Sequence, residues 1–481
     1  MSRADLLSLL PELILTAGGV LILLLDALLP GARRAWTGIA LLTTAAAAWG
    51  ACAAWTAAAS DPALTFGGLL ETSRMTLAFS QAVLAATALC LLASQGYLRR
   101  EGILAGEYHA LLLWCATGLL LMLRANELLT IFLALELLSL CLYSLAGYHR
   151  RVKVSMEAAI KYFLMGAFVS AFALYGIALV YGATGQTRLD AIGAAFAAGR
   201  VTVAASLGLL LLVTAFGFKM SLVPFHAWSP DAYQGAPSPF VAFFSVAPKV
   251  ASALVLYRLL AVTAQGSNAA RWSEVVALLS ALSMVTGNLL ALAQRDIKRM
   301  LAYSGIAHMG YLLLALVTLD RDSLNAVFVY LLAYVLMNAG AFAVVAMLYR
   351  RPGEQHLIGE LAGWGYRFPL LGGCLAICML SLAGIPPTMG FFGKYLVFLQ
   401  AISEGHVRLA VLGVVTSLVG VFYYLRVIYV LYMKAESREP EGLLIDGWGR
   451  AAAVLAALGT LLLGLWPADL LQWLIGATGT R

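Results

Sequence analysis

The sequence has few charged residues. Only 11% of its 481 residues are Asp, Glu, Lys or Arg, and 62% are hydrophobic, whereas a soluble domain has about 25% charged and about 45–50% apolar residues. This deficit excludes a soluble globular fold and predicts an integral membrane protein. The net charge of +7 is spread over short gaps between apolar runs. There is no lysine-rich tail and no basic helix, which argues against a nucleic-acid partner.

Signatures of redox and metal centres are also lacking. All six cysteines lie within apolar runs. Cys374 and Cys378 are four residues apart and share a helical face, but no CxxC pair or Cys/His cluster has metal-ligand spacing. No GxGxxG motif follows a predicted strand. We therefore expect the cysteines to be small packing residues, and we expect this chain to bind no metal, cofactor or iron–sulfur cluster.

Long polar segments are the third absence. The largest polar loops, around residues 184–201, 350–367 and 434–450, are too short for a soluble domain. The N-terminal stretch is too long and continuous for a cleaved signal peptide and predicts the first spanning helix. Because a spanning helix needs about 20 apolar residues, the sequence predicts an all-α polytopic membrane protein with about 14 transmembrane helices. The predicted runs are 6–29, 35–58, 75–98, 108–123, 128–148, 155–183, 203–228, 238–262, 273–294, 297–319, 324–349, 368–402, 408–433 and 450–476.

Loop charges predict the orientation. Of the two sets of alternate loops, the one that includes Arg150, Arg151 and Lys153 carries more Lys and Arg. The positive-inside rule places this set in the cytoplasm and both termini in the periplasm. The remaining basic residues lie within the apolar runs: Lys161, Lys219, Lys249, Lys394 and Arg426.

A weak internal repeat divides the runs. AAIKYFLMGAFVSAFA at 158–173 aligns with AVFVYLLAYVLMNAGA at 326–341 and matches Tyr162 with Tyr330. The offset covers five helices, an odd number, so the second copy is predicted to be inverted across the membrane, as in transporter folds. In each copy a later helix is broken by proline, which lacks a backbone donor. We predict a three-helix segment at 1–105, a first repeat at 106–262, a second, inverted repeat at 263–433, and a C-terminal loop and helix at 434–481.

Lysines inside the membrane are the clearest functional signal, because a charge at mid-bilayer is costly. Lys219 lies five residues before Pro224, and a broken helix supplies free carbonyls and room for water. Burial favours the neutral amine, and a nearby carboxylate favours the ammonium. Glu136, one of few carboxylates within an apolar run, is the predicted partner. Its approach would keep Lys219 protonated and its withdrawal would release the proton; a static ion pair is the alternative.

Two more lysines and a histidine extend this pattern. Lys249 follows Pro248, and Lys394 follows the second broken helix, GIPPTMG. His308 lies mid-helix with Tyr303 and Tyr311 nearby, where it is either a packing residue or a proton relay between lysine sites.

Three other polar residues are more ambiguous. Lys161 lies one turn after Glu157 and near a helix end, so it either takes part in proton transfer or extends to the interface. His226 lies close to a loop. Arg426 stays charged, so we expect a structural role for it.

Four motifs resemble those of a known family: FKMSLVPFHAWSPDAYQGAPSP, APKVA, DIKRMLAYSGIAHMGY and GIPPTMGFFGKY. They are similar to the antiporter-like membrane subunits of respiratory complex I, the proton-pumping NADH:quinone oxidoreductase, over essentially the whole chain. Related chains occur in multisubunit sodium/proton antiporters and membrane-bound hydrogenases. The loop PDAYQGAPSP, Lys394 in place of the M subunit's glutamate, and the absence of a long lateral helix like that of the L subunit resemble the N-type members.

The resemblance implies a proton-translocating role within an enzyme complex. It implies that Glu136 tunes Lys219, that Lys249 and His308 lie on a central hydrophilic path, and that Lys394 exchanges protons with the far side. The role of Lys161 is less settled. Because Lys219 precedes its proline and Lys394 follows its prolines, the two sites are not copies in sequence.

The resemblance also implies the surroundings of the chain. FMN, the iron–sulfur clusters and the quinone site would belong to other subunits. The expected partners are the M subunit, small K- and J-type subunits, the lateral helix of the L subunit and lipids of the bacterial cytoplasmic membrane. Three alternatives stay open: a sodium/proton antiporter subunit, a structural scaffold in which the lysines only pair, and a small-molecule carrier.

Overall fold

The protein is built almost entirely of helices. The computed structural model describes residues 3–57, 63–199, 201–264, 269–319, 321–348, 356–435, 446–468 and 472. The first helices are α1 (Arg3–Ser8), α2 (Leu10–Leu28), α3 (Trp36–Ala57), α4 (Arg74–Arg100), α5 (Gly106–Arg124) and α6 (Leu128–Ala146). Next come α7 (Lys153–Thr184), α8 (Leu189–Ala197), α9 (Val203–Met220), α10 (Ser229–Gly235), α11 (Ser238–Phe244) and α12 (Ala247–Ala264). The last are α13 (Ala269–Leu292), α14 (Ile297–Leu316), α15 (Arg321–Met347), α16 (Trp364–Arg367), α17 (Pro369–Ala383), α18 (Met389–Ser403), α19 (Val407–Met433) and α20 (Gly447–Leu465).

The helices confirm the all-α polytopic fold class. Within the described residues, twelve helices are long and apolar enough to cross a membrane. The run predicted at 368–402 forms two shorter apolar helices, α17 and α18. The run at 297–319 forms α14, which is less apolar because it includes Lys298, Arg299 and His308. The fourteenth run, predicted to end at 476, is helical in α20, and its last part lies largely outside the described residues.

Both predicted helix breaks are present. The helix α9 ends at Ser221, which has a left-handed φ of 61°, and the N–H of Leu222 donates to the Gly217 carbonyl. The helix α17 ends in the same way at Gly384, with φ of 82°, and the N–H of Ile385 donates to the Leu380 carbonyl. This left-handed ending closes a helix and satisfies some of its terminal carbonyls. The prolines that follow cannot continue the helix.

Packing follows the repeat seen in the sequence. The helix α7, which carries the first repeat segment, packs against α9 and α10. The helix α15, which carries the second, packs against the two halves of the other broken helix, α17 and α18. Each repeat helix therefore lies beside the broken helix of its own half. The centre of the molecule, where α15 contacts α11 and α14, is almost completely buried.

The N-terminal segment is fastened to the bundle by a buried ion pair. Arg124 at the end of α5 donates to Glu12 of α2 over 2.8 Å, and both side chains are almost fully buried. The same guanidinium donates to the Ser8 carbonyl and the Thr72 hydroxyl. Thr72 ends a small antiparallel hairpin of β1 (Ala63–Thr65) and β2 (Leu70–Thr72). One arginine therefore joins α2, α5 and the hairpin.

Candidate functional site

Lys394 is held by the second helix break. It lies in the first half of α18, and its ammonium donates to the Leu382 and Ala383 carbonyls, both at 3.0 Å, and to Ser417 at 2.9 Å. Those carbonyls end α17, where the helix dipole is negative. The Tyr311 ring lies 5.4 Å from the ammonium, within cation–π range. The break thus provides a polar site for a charge inside the membrane.

Lys219 is held differently. Its side chain is only 5% exposed, and its Nζ donates to the Ser139 hydroxyl at 2.8 Å and contacts the Tyr162 hydroxyl at 3.4 Å. The Phe218 carbonyl at the first break accepts instead from the Trp228 indole N–H, at 3.1 Å, and from the Ser221 N–H, at 2.9 Å. The carbonyls of the second break therefore bind the Lys394 ammonium, whereas the Phe218 carbonyl of the first break binds other donors and not Lys219.

Glu136 does not form an ion pair with Lys219 in this structure. Its carboxylate accepts a hydrogen bond from Ser170 of α7, at 2.5 Å. Ser139, the partner of Lys219, lies one turn further along the same helix as Glu136, on the same face. In the described part of the chain, Lys219 has hydroxyl partners and no carboxylate partner. The glutamate is thus close in sequence to the lysine site but turned towards α7.

Lys249 occupies a pocket made by a glycine. Its side chain is 1% exposed, and its Nζ lies 3.1 Å from the Tyr334 hydroxyl and 3.4 Å from the Gly305 carbonyl. A methyl group on Gly305 would lie 2.7 Å from both the lysine Nζ and the Tyr334 hydroxyl. The absence of a side chain at Gly305 therefore creates the space in which the ammonium sits.

His308 has two tyrosine partners. Its Nδ1 lies 2.6 Å from the Tyr330 hydroxyl and its Nε2 lies 3.0 Å from the Tyr424 hydroxyl. Tyr424 also contacts the Ser304 hydroxyl, at 2.6 Å. A neutral imidazole has one donor and one acceptor, and a hydroxyl can be either. The chain of hydrogen bonds can therefore point in either direction, which is what a proton relay requires.

The second half of the molecule brings three predicted residues into one cluster. The His308 ring lies 5.3 Å from that of Tyr334, the partner of Lys249. On its other side it lies 6.0 Å from Tyr311, which contacts the Lys394 ammonium. The predicted relay position of His308 between Lys249 and Lys394 matches this arrangement. His308 contacts Tyr311, as the sequence suggested, but its hydrogen-bond partners are not Tyr303 or Tyr311.

Among the described residues, the contacts between Lys219 and Lys249 run through aromatic rings. Tyr162, which contacts Lys219, lies 5.0 Å from the Phe244 ring. Phe244 lies 5.4 Å from Tyr233, and Tyr233 lies 6.0 Å from the Lys249 ammonium. Phenylalanine has no exchangeable proton, so these rings cannot themselves relay one. Passage between these two lysines requires water or a rearrangement.

Lys161 lies at the surface. Its side chain is 47% exposed and pairs with Glu157 at 2.8 Å and Asp231 at 2.9 Å. Asp231 also accepts from Arg299 at 2.7 Å. Burial raises the pKa of the Asp231 carboxyl, but hydrogen bonds from Arg299 and Lys161 outweigh it and leave this pKa below its usual value. His226 is half-buried.

Sequence reasoning missed Lys298 and most of the tyrosines. In the sequence Lys298 counts with the loop charges, because Asp296 and Arg299 flank it at the start of the run 297–319, but in the structure it begins α14 and is 3% exposed. The tyrosines around His308 come from α15 and α19, so sequence distance hid them. One signal was available, because the repeat matched Tyr162 with Tyr330 and both are buried beside proposed site residues.

The described residues contain no group of three His, Cys, Asp or Glu side chains arranged to hold a metal ion. The six cysteines are free, and five of them are buried. The chemistry available at the site is therefore that of amines, an imidazole, a carboxylate and hydroxyl groups, which can bind and pass protons.

Known proteins with similar sequences and structures identify the family. The family described as "NADH:quinone oxidoreductase/Mrp antiporter, TM" matches residues 125–420. NADH-quinone oxidoreductase subunit N of Trichlorobacter lovleyi is 38% identical over 466 residues, which cover 96% of this chain and 95% of that protein. A chain of respiratory complex I from Thermus thermophilus with bound aureothin has a TM-score of 0.81 at 36% identity, covering 96% and 98% of the two chains.

A third similarity concerns the fold alone. A chain of the membrane-bound sulfane sulfur reductase, an archaeal respiratory membrane complex, has a TM-score of 0.88 at 24% identity and covers 99% of this chain and 97% of its own. This architecture is therefore shared by complexes that carry different names. At the level of sequence, identity extends over nearly the whole length of the relatives named as subunit N. The chain belongs to the subunit N family of NADH-quinone oxidoreductase.

Proposed function

We propose that this chain is a proton-translocating membrane subunit of NADH:quinone oxidoreductase. Its buried amines and imidazole would carry protons across the membrane while other subunits transfer electrons from NADH to quinone. Lys219, Lys249, His308 and Lys394 would bind protons in turn, and Glu136 would modulate the charge of Lys219. Lys161, which is exposed and ion-paired, would act at the surface.

One observation carries this proposal: the buried cluster of Lys249, Tyr334, His308, Tyr311 and Lys394, in which a hydrogen bond joins Lys249 to Tyr334 and ring contacts join the remaining members. Its two lysines and histidine are each at most 6% exposed. Buried charges normally occur in ion pairs, because an unpaired charge is costly. Hydroxyls, carbonyls and ring faces surround these groups. Such neighbours can contact either the protonated or the neutral form of a lysine or histidine. A cluster of this kind favours proton exchange over permanent pairing.

The proposed transfer uses groups in both protonation states. A proton arriving at the neutral Lys249 amine forms the ammonium, which Tyr334 and the Gly305 carbonyl stabilise. The His308 chain, with Tyr330 and Tyr424 at its two nitrogens, can accept a proton at one nitrogen and release one from the other. Water would carry the proton where ring contacts, and not hydrogen bonds, join these groups, and the neutral Lys394 amine would then take it beside the carbonyls of α17. No electron moves in these steps.

Glu136 would act as a switch at the first break. Its carboxylate is bonded to Ser170, which corresponds to the withdrawn state of the sequence hypothesis. A change of rotamer towards Ser139 would bring the negative charge nearer to Lys219, because the two residues share a face of α6. The approach of that charge would favour the ammonium, and withdrawal would favour proton release.

The same proposal includes the surroundings of the chain. Its partners would be other membrane subunits of the complex: an M-type chain, small K- and J-type chains and the lateral helix of an L-type chain. FMN, iron–sulfur clusters and quinone would be bound elsewhere. Both termini would face the periplasm, and the chain would divide into segments 1–105, 106–262, 263–433 and 434–481, with two inverted repeats in the middle.

The experiment is NADH-driven proton uptake in inverted membrane vesicles, comparing Lys219→Ala with wild type. The amount of assembled complex is measured in the same membranes. We expect proton uptake per NADH oxidised to fall with the complex intact, because protons cannot complete this path through the membrane without the amine. Normal proton uptake per NADH oxidised would overturn the role of Lys219 and favour the scaffold.

The antiporter alternative gives a different result in the same vesicles. A sodium/proton antiporter subunit would move protons in response to a sodium gradient with no NADH present. We expect no such movement above that of vesicles lacking the chain. Sodium-driven proton movement that is lost in Lys219→Ala would replace the proposed function with the antiporter.

A further inference from the structure

Lys298 is a fourth buried lysine in the described part of the chain, and the roles proposed above do not use it. We propose that Lys298 is the proton-loading residue that supplies Lys249 from the end of the bundle predicted to be cytoplasmic. The inference rests on the proposed function, since it assumes that Lys249 takes up protons. It is carried by the burial of Lys298, its single hydrogen-bond acceptor and its place between the surface and Lys249.

The surroundings of Lys298 suit a group that gains and loses a proton. Its side chain is 3% exposed, and its Nζ donates to the Ala236 carbonyl at 2.7 Å. A neutral amine and an ammonium can both make that bond. The nearest acidic residue in sequence, Asp296, is occupied as a helix cap, since its Oδ1 accepts from the backbone N–H groups of Lys298 and Arg299. The described residues provide no ion pair that would fix Lys298 in its charged form.

One short stretch of chain connects the surface, Lys298 and Lys249. Asp231 of α10 lies at the surface with Lys161 and Arg299. Two residues on, the Tyr233 ring lies 6.0 Å from the Lys249 ammonium. Three residues further, the Ala236 carbonyl accepts the Lys298 hydrogen bond. Residues 231–236, about one and a half helical turns, therefore contact the charged surface cluster, Lys298 and Lys249.

The positions of Lys298 and Gly305 along α14 also place Lys298 nearer the start of the helix than the Lys249 site. Lys298 and Gly305 are seven residues apart, which places them on nearly the same helix face, about 10 Å apart along the axis. The Gly305 carbonyl is a partner of Lys249. Because this separation exceeds a hydrogen bond, water would bridge the two amines. The Lys298 ammonium would give one proton to that water as the water gives one to neutral Lys249, leaving a neutral Lys298 amine for the next proton from solvent.

A purely structural role would be different. Lys298 would then simply fasten the end of α10 to α14 through the Ala236 carbonyl. Glutamine separates the two roles, because its amide can donate to a carbonyl but cannot exchange a proton as an amine does. Methionine keeps a side chain of similar length but can neither donate a hydrogen bond to the carbonyl nor exchange a proton.

The test measures proton uptake per NADH oxidised in inverted vesicles that contain the whole complex, with Lys298→Gln and Lys298→Met. The matched control is Arg426→Gln. Arg426 is another cation bound to backbone carbonyls, those of Leu292 and Gln294, but it cannot lose its proton usefully. We expect both Lys298 variants to lose more than half of the proton uptake per NADH at normal assembly, and Arg426→Gln to match wild type.

A further variant distinguishes failure of the Lys298 inference from failure of the proposed function. Lys249→Met is measured in the same series. If Lys249→Met loses proton uptake while Lys298→Gln pumps normally, the loading role of Lys298 is wrong and the proposed function stands. If Lys249→Met also pumps normally, the function assigned to Lys249 is itself wrong. If Lys298→Met fails to assemble, the decision falls to Lys298→Gln, whose normal uptake overturns the inference.

Discussion

The buried lysines differ in what surrounds each charge. Lys394 is bound by the carbonyl end of a broken helix, Lys219 by two hydroxyls, and Lys249 by a phenol and one carbonyl. Each also lies over a tyrosine ring. Carbonyls and hydroxyls stabilise an ammonium without the permanent negative charge of a carboxylate. Each lysine in these environments can therefore be either an ammonium or a neutral amine.

Lys394→Arg separates charge from proton exchange. A cavity of about 410 Å³ beside Lys394 gives a guanidinium space to fit. Arginine keeps the positive charge but does not deprotonate in proteins. We expect an assembled complex whose proton uptake per NADH is as low as that of Lys394→Ala. Wild-type uptake by Lys394→Arg would mean that a fixed charge is sufficient there.

Gly305→Ala tests the pocket of Lys249. The new methyl group would lie 2.7 Å from both the lysine Nζ and the Tyr334 hydroxyl, and overpacking of this kind typically costs about 1–3 kcal/mol. We expect proton uptake to fall by more than half because the ammonium is displaced. The control is Gly373→Ala, since a methyl group there meets nothing within 4 Å. Equal activity of the two variants would contradict the pocket.

Among the elements, the two helix breaks are similar in backbone and different in use. Both α9 and α17 end in a left-handed residue before proline. At the second break the terminal carbonyls bind Lys394, and at the first a carbonyl binds Trp228. The two breaks therefore share a backbone geometry, but their terminal carbonyls accept hydrogen bonds from different donors.

Trp228→Phe tests this explanation of the first break. Phenylalanine keeps a ring beside Tyr162 but removes the indole N–H, one of two donors to the Phe218 carbonyl, the other being the Ser221 N–H at 2.9 Å. The net loss of one such hydrogen bond costs about 0.5–1.5 kcal/mol. We expect the complex to dissociate at a lower temperature, by a few degrees. Trp364→Phe, at a buried tryptophan packed on Phe368, is the control; an equal shift there would show that the carbonyl is not the cause.

The elements could largely be predicted from the sequence, and the contacts between side chains could not. Long apolar runs and two proline-containing stretches determine where helices lie and break, because the membrane allows few other backbone arrangements. The partners of His308 come from α15 and α19, which only the tertiary packing brings together. The turn of Glu136 towards Ser170 is a choice of rotamer, and the burial of Lys298 depends on α10 folding over it.

At the scale of the whole molecule, the N-terminal helices depend on Arg124. This residue joins α2, α5 and the hairpin from a buried position. Breaking a buried ion pair from one side leaves an uncompensated charge and costs about 3–5 kcal/mol. The attachment of the N-terminal segment, and with it assembly, is expected to be sensitive to this one pair.

Arg124→Met should therefore lower the amount of assembled complex in membranes, measured by native gel electrophoresis. Adding Glu12→Gln to it should restore part of the loss, since the unpaired carboxylate is removed. Arg258→Met breaks a less buried pair with Glu71, with side chains 11% and 21% exposed, and should lower assembly less. Wild-type levels of complex in Arg124→Met would contradict the account of this segment.

The central claim is that protons pass through the buried cluster around His308, and a pair of histidines tests it most directly. His308 and His109 are both almost fully buried and hydrogen-bonded through both ring nitrogens, His109 to Thr37 and the Ala105 carbonyl. Only His308 lies between Lys249 and Lys394. The measurement is proton uptake per NADH oxidised, at equal amounts of assembled complex, for His308→Gln and His109→Gln. The account predicts a loss of more than half for His308→Gln and a wild-type ratio for His109→Gln. A wild-type ratio in both variants would contradict it.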